Sequence, residues 1–357
     1  MAFGALAAAV GYLVLTDPPA GMAESGLGDT VIALPSLTAP AAETVAPPPE
    51  PKAPETADPA SNAEGPAGGK SGAAPAESPQ QAAIPPPSPT TGLTLDPALV
   101  EPSAFGPLPR VAPDGRRPRD VYARPFNNPY ERPMIAVIVT GLGLSEAATN
   151  AAIQELPGEI TLAFSPYAAS RLNEWIELAR AAGHETLLSL PMEPESYPRD
   201  DPGPHTLLTG LQSSENLERL RWMLSRFTGY VGVIDDQGSR FTASEGAMLP
   251  ILGEIGRRGL LYVDSRPTDH GLVPALADRI GLPRAVNDRV IDNPATRNSI
   301  DARLAEVEEI ARRNGAAIAL AFHYPVTIER LRAWARQVEA RGFVLAPVSA
   351  VVSTAGQ

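Results

Sequence analysis

From Met134 to the C-terminus, apolar runs of four to seven residues alternate with stretches whose apolar positions recur every three or four. That alternation predicts βαβ units and a parallel sheet. The predicted strands are 134–140, 159–164, 185–190, 230–234, 260–264, 284–287, 317–321 and 344–347. Between them the helical period marks 145–156, 172–182, 214–226, 247–258, 298–314 and 327–341. Ser145 and Ser214 stand where N-caps are needed, and Gly183, Gly259, Gly315 and Gly342 follow last turns. Seven or eight such repeats suggest a barrel, whose functional residues would gather at the C-terminal ends of the strands.

Before Met134 the pattern is different. Residues 2–16 form one uncharged apolar run, shorter than the roughly 20 residues that span a bilayer comfortably. It reads as a membrane anchor or signal-like segment at 1–16. Residues 17–128 lack any sustained apolar period and read as a disordered Pro/Ala-rich linker, with the folded domain at 129–357. Composition agrees, since 26 of the 40 prolines precede Met134.

Charge and residue usage narrow the chemistry. The formal charge of -12 divides almost evenly about Met134, so neither half offers the basic footprint that nucleic acid requires. The absence of cysteine excludes disulfides, thiolate metal sites and a cysteine nucleophile. The two lysines, Lys52 and Lys70, precede the domain, which excludes lysine chemistry within it.

At the strand ends, Thr140-Gly141-Leu142-Gly143 reads as a tight turn, because a phosphate fingerprint would need a third glycine. Glu193 and His205 bracket a long loop after the third strand. Asp235-Asp236-Gln237 and Arg240 follow the fourth, Asp264 and Arg266 the fifth, and His323-Tyr324 the seventh. Asp264 and Arg266 can serve equally as a structural ion pair or as substrate contacts.

Several of these segments resemble the divergent polysaccharide deacetylase family of bacterial envelope proteins. They are Leu190-Pro191-Met192-Glu193-Pro194, the loop 201–207, Gly238-Ser239-Arg240-Phe241-Thr242, Val263-Asp264-Ser265-Arg266 and Pro347-Val348-Ser349-Ala350. The resemblance implies an irregular seven-stranded (β/α) barrel of the glycoside hydrolase/deacetylase type, preceded by the tether. It implies a polysaccharide or peptidoglycan-type glycan as partner, and a domain in the periplasm, held at the inner membrane by the N-terminal segment or secreted there.

If the barrel is a hydrolase, the resemblance assigns catalysis to Glu193, Asp235 and Asp264 and substrate contacts to Arg240, Arg266, Tyr324 and His205. A divalent metal such as zinc would fall to Asp236, Gln237 and His323. Yet the family's acid pair after strand one is replaced here by Thr140-Gly141, and its strand-four histidine motif by Asp235-Asp236-Gln237. A metal-dependent deacetylase and a glycan-binding barrel that has lost its metal therefore both remain open.

Overall fold

The computed structural model describes residues 95–353 except 169, 170 and 267. The apolar segment 1–16 and the linker as far as residue 94 lie outside the described residues. A 3₁₀ turn at Pro97–Leu99 leads into a hairpin of β1 (Val100–Ser103) and β2 (Gly106–Pro109), followed by the short helix α1 (Pro118–Val121). The repeat then runs β3 (Met134–Leu142), α2 (Glu146–Glu155), β4 (Thr161–Phe164), α3 (Leu172–Ala181), β5 (Thr186–Met192) and α4 (Ser213–Leu224). It continues with β6 (Gly232–Gln237), α5 (Glu245–Arg257), β7 (Leu261–Asp264), α6 (Val273–Ile280), β8 (Arg284–Val286) and β9 (Arg289–Val290). The chain finishes with α7 (Arg297–Asn314), β10 (Ala316–Phe322), α8 (Pro325–Val338), β11 (Val344–Leu345) and a 3₁₀ turn at Val348–Val351.

The strands are ordered β8-β7-β6-β5-β4-β3-β10-β9, with β11 beside β3, and these pairings are all parallel. The two edge strands, β8 and β9, are joined through Asn287 and Asp288, so the sheet must curl until its edges meet. The seam is closed by the chain itself, whose segment 284–290 pairs with β7 through β8 and with β10 through β9. Asn287 N donates to Asp264 O at 2.9 Å and Asp288 N to Ile318 O at 2.9 Å, while Ile318 N donates to the Asp288 carboxylate at 2.9 Å. The result is the irregular barrel expected from the repeats, with β3–β8 and β10 as its seven principal staves.

Alternation along each strand sorts side chains into two layers. Ala136, Ile138, Ala163, Leu187, Ile234 and Val263 pack inside the barrel. Val137, Val139, Leu162, Leu188, Val233 and Tyr262 face the helices. Ser145 caps α2 as expected, accepting from Ala148 N. The cap of α4 falls at Gln212, whose N–H is taken by Glu215 at 2.9 Å, and not at Ser214.

The linker boundary at 128 needs correction. Residues 95–128 are built onto the barrel, and Leu99, Ala112 and Tyr122 join the interior cluster. Arg119 N donates to Gly259 O at 3.2 Å, Arg124 N to the Glu185 carboxylate at 2.8 Å, and Arg258 Nη1 to Pro109 O at 2.8 Å. Gly259 and Glu185 lie where β7 and β5 begin, so this leader closes the N-terminal end of the barrel. The C-terminal turn joins it there through Val348 and Ser349.

Candidate functional site at the C-terminal mouth

The open end of the barrel lies where β3, β5, β6 and β10 finish. Ile234 points inward, so Asp236, two residues on, does as well. Asp236 pairs in register with Pro191, and Ile234 with Ser189. On β3, Thr140 continues the inward series of Ala136 and Ile138, and its hydroxyl lies 3.4 Å from that of Ser189. Phe322 lies beside Thr140 in the β3–β10 register. The mouth thus presents two hydroxyls, an aromatic ring and one carboxylate. Burial pushes the Asp236 carboxyl up, and among the described residues no group hydrogen-bonds to it.

The same alternation removes Asp235 and Asp264 from the mouth. Asp235 shares the helix-facing side of Val233, and Asp264 that of Tyr262. Asp235 is only 3% exposed and accepts from Tyr262 Oη at 3.1 Å, Ser265 N at 3.0 Å and Ser265 Oγ. Burial, reinforced by the neighbouring Asp264 charge, raises its pKa. Burial also raises that of Asp264, which accepts from Arg266 N at 2.8 Å. Both were expected to be catalytic, but they stand behind the sheet, inaccessible to a polymeric substrate. The Asp264–Arg266 hydrogen bond also runs through the backbone; the Arg266 side chain is on an exposed residue with φ of 56°.

Glu193 is near the rim but already occupied. Thr209 donates its amide and, at 2.7 Å, its hydroxyl to one carboxylate oxygen, and Arg240 Nη1 reaches the other at 3.2 Å. Burial opposes its ionisation, but the Thr209 bonds and the Arg240 guanidinium outweigh burial and hold the group below the ordinary carboxylate range. Such a carboxylate is a poor base. It fastens the β5–α4 loop to the β6–α5 loop, and Arg240 is its partner there. His205 belongs to a separate cluster, stacked on Trp222 of α4 with ring centroids 3.6 Å apart, while its backbone N–H donates to Tyr167 Oη at 2.9 Å.

His323 and Tyr324 follow β10 directly. His323 Nδ1 lies 3.0 Å from the Thr140 carbonyl oxygen. Its ring lies so close to Gly141 that an added Cβ would stand 2.7 Å from it. Gly141, with φ of 79°, sits where the β3–β4 register shifts. Gly143 N donates to Thr149 Oγ1 at 2.9 Å, closing the turn into α2. The two glycines thus serve a turn, as their spacing suggested, and also a close approach to the His323 ring.

Sequence reasoning missed Ser189 and Asp292. Ser189 lies within an apolar run and is legible only from strand parity. Asp292, 2% exposed, accepts from Phe322 N at 2.7 Å and Thr327 Oγ1 at 2.9 Å, fixing the turn that carries His323. Its signal was a carboxylate beside the Asn293-Pro294 turn.

Among the described residues no three His, Asp or Glu side chains are grouped to hold a metal ion. The expected trio does not repair this. Asp236 faces inward, Gln237 is an exposed amide with φ of 60°, and His323 is bound to backbone beside Gly141. One carboxylate and one imidazole from opposite parts of the rim do not make the tetrahedral set that zinc favours.

The model of the divergent polysaccharide deacetylase family matches residues 137–352. A crystal structure of an uncharacterized protein from Agrobacterium tumefaciens C58 is similar, with 39% sequence identity and a TM-score of 0.67, covering 69% of this chain and 99% of that one. An uncharacterized protein of Haemophilus influenzae is 24% identical over 208 residues, 57% of this chain and 71% of its own length. The uncharacterized protein YibQ of Escherichia coli K12 is 25% identical over 199 residues, 56% of this chain and 61% of its own length.

Proposed function

The chain belongs to the divergent polysaccharide deacetylase family, and from that premise we propose that its barrel binds an N-acetylated envelope glycan at the C-terminal mouth without hydrolysing it. The observation that carries this reading is Asp236, an inward carboxylate with no hydrogen-bond partner among the described residues, flanked by Thr140, Ser189 and Phe322. A saccharide offers what such a mouth lacks, namely hydroxyl donors for the carboxylate and an apolar ring face for the phenyl group.

Amide hydrolysis asks for more. It needs a polarised carbonyl, an activated water and an acid for the leaving amine. Glu193, the expected base, is held ionised by Thr209 and Arg240. Asp235 and Asp264 face the helices. Asp236 and His323 come from opposite parts of the rim, and the carboxylate nearer His323, Asp292, is engaged by Phe322 N and Thr327 Oγ1.

On the same reading, residues 2–16 hold the protein at the inner membrane and the tether carries the barrel into the periplasm. Among the described residues no helix is long and apolar enough to cross a membrane.

The test is equilibrium binding of N-acetylated chito-oligosaccharides and peptidoglycan fragments to the full chain, with and without zinc, alongside an assay for released acetate. Binding that survives a chelator, weakens at least about tenfold in Asp236→Ala and is accompanied by no acetate is the expected result. Acetate release overturns the non-hydrolytic reading. Absence of binding overturns glycan recognition altogether.

A further inference from the structure

Beside the mouth, α2 and α8 leave a groove of about 410 Å³ between them, within the range of roughly 300–1,000 Å³ typical of ligand clefts. Ala148 and Ala151 on α2 and Ile328 on α8 form its apolar walls. Tyr324, 44% exposed, stands at its rim. A large aromatic side chain left open to water beside an apolar cleft marks a binding surface more often than an accident of folding.

Apart from the hydroxyls of Ser145 and Tyr324, the polar groups of this groove are acceptors. His323 Nδ1 faces a carbonyl oxygen, which can only accept, so Nδ1 carries a proton and the neutral ring presents its lone pair at Nε2. Gly141 holds the ring in that pose, because any Cβ there would collide with it. Farther along the groove, Glu155 and Glu329 are fixed by Arg332 at 2.6 Å and Arg297 at 2.8 Å. Among the described residues no arginine lines the groove, and Arg332 and Arg297 beside it are already paired with those carboxylates, so an anionic occupant finds no free countercharge. A neutral ligand rich in hydroxyl donors and possessing an apolar face does find complements.

The groove is also continuous with the mouth. Phe322 on the mouth side and Tyr324 on the groove side have ring centroids 5.9 Å apart. Thr140 places its hydroxyl toward the mouth while its carbonyl holds His323. We propose that the α2–α8 groove is a second saccharide subsite, in which Tyr324 stacks on a pyranose ring and His323 Nε2 accepts from a sugar hydroxyl. A glycan strand seated at Asp236 continues over the Phe322–Tyr324 pair into this groove. The proposal rests on the glycan reading above and extends it from a single mouth to a strand-length site.

The experiment measures affinity of the full chain for N-acetylated chito-oligosaccharides of increasing length, from disaccharide to hexasaccharide. Wild-type affinity should rise with length as the second subsite fills. Tyr324→Ala, at a partly exposed position, should flatten that rise and weaken the longest ligand about tenfold, while leaving the shortest nearly unchanged. Ala148→Leu, which fills the groove without adding ring or charge, should do the same. If wild-type binds but both variants keep its full length dependence, the subsite is overturned and the mouth reading stands. If wild-type binds no oligosaccharide of any length, both fall together.

Discussion

At the N-terminal end of the barrel, Glu185 accepts from Arg124 N at 2.8 Å, Ser349 N at 3.1 Å and Ser349 Oγ, gathering segments 61 and 164 residues away in sequence. At the C-terminal mouth, Asp236 accepts from nothing among the described residues. The same residue class therefore does opposite things at the two ends. Below, a carboxylate saturated with donors ties leader, sheet and C-terminal turn together. Above, a half-buried carboxylate without a protein donor stays open to water, which a ligand hydroxyl can replace. Stability should reside at the closed end and recognition at the open one.

The strongest way to break that comparison is Leu99→Ala. Leu99 is fully buried among the interior side chains, and truncating such a leucine costs about 2–5 kcal/mol. Urea unfolding should show a loss in that range with glycan binding retained in the folded protein. A loss well under about 1 kcal/mol would mean that the leader is a loose appendage and that the lower end does not carry the fold.

Next comes Asp236→Ala, the mirror experiment. Binding should fall at least about tenfold, while the unfolding midpoint stays put or rises, because a partly buried carboxylate without donors is a burden to the folded state. A marked drop in the midpoint would place Asp236 in the structural class with Glu185.

The strands of this contrast were readable in the sequence, and its facing was not. Parallel strands covered on both sides read as apolar runs, so β3, β5, β7 and β10 were found within a residue or two. That same double covering hides parity. In Gly232-Val233-Ile234-Asp235-Asp236 both faces are apolar, and nothing local says which aspartate enters the barrel. Only Ile234 packing with Ala136 and Val263 decides it.

The leader was lost for another reason. Its prolines set the composition, whereas its order comes from a few buried side chains and from distant partners such as Ser225 Oγ, which donates to Phe105 O at 3.0 Å across 120 residues. Helix α6 was missed because eight residues beginning Val273-Pro274 offer barely two turns of period.

A smaller effect should follow from Gly141→Ala. Its φ of 79° is strained for alanine, and the new Cβ would meet the His323 ring at 2.7 Å. The expected cost is about 1 kcal/mol in unfolding. Because the displaced ring sits where mouth and groove join, affinity for long oligosaccharides should fall more than affinity for short ones. Equal loss at all lengths would detach His323 from the groove.

The finest test uses pH, with two carboxylates shifted in opposite directions. Glu193 is held below its ordinary range, so its contribution is present above the unfolded value and is lost as pH falls through the depressed folded value. Glu185 is pushed above its range by burial, against the hydrogen bonds from Ser349 and Arg124. Its contribution is full below the unfolded value and is lost as pH rises through the raised one. Urea midpoints measured between about pH 3 and 7, where carboxylates titrate, should therefore separate the two ends. Relative to wild-type, Glu193→Gln should be most destabilised at neutral pH and converge with it in acid. Glu185→Gln should instead gain ground on wild-type as pH rises. Parallel profiles would mean that the two saturated carboxylates share one environment, and that burial at the closed end does not outweigh the hydrogen bonds to Glu185.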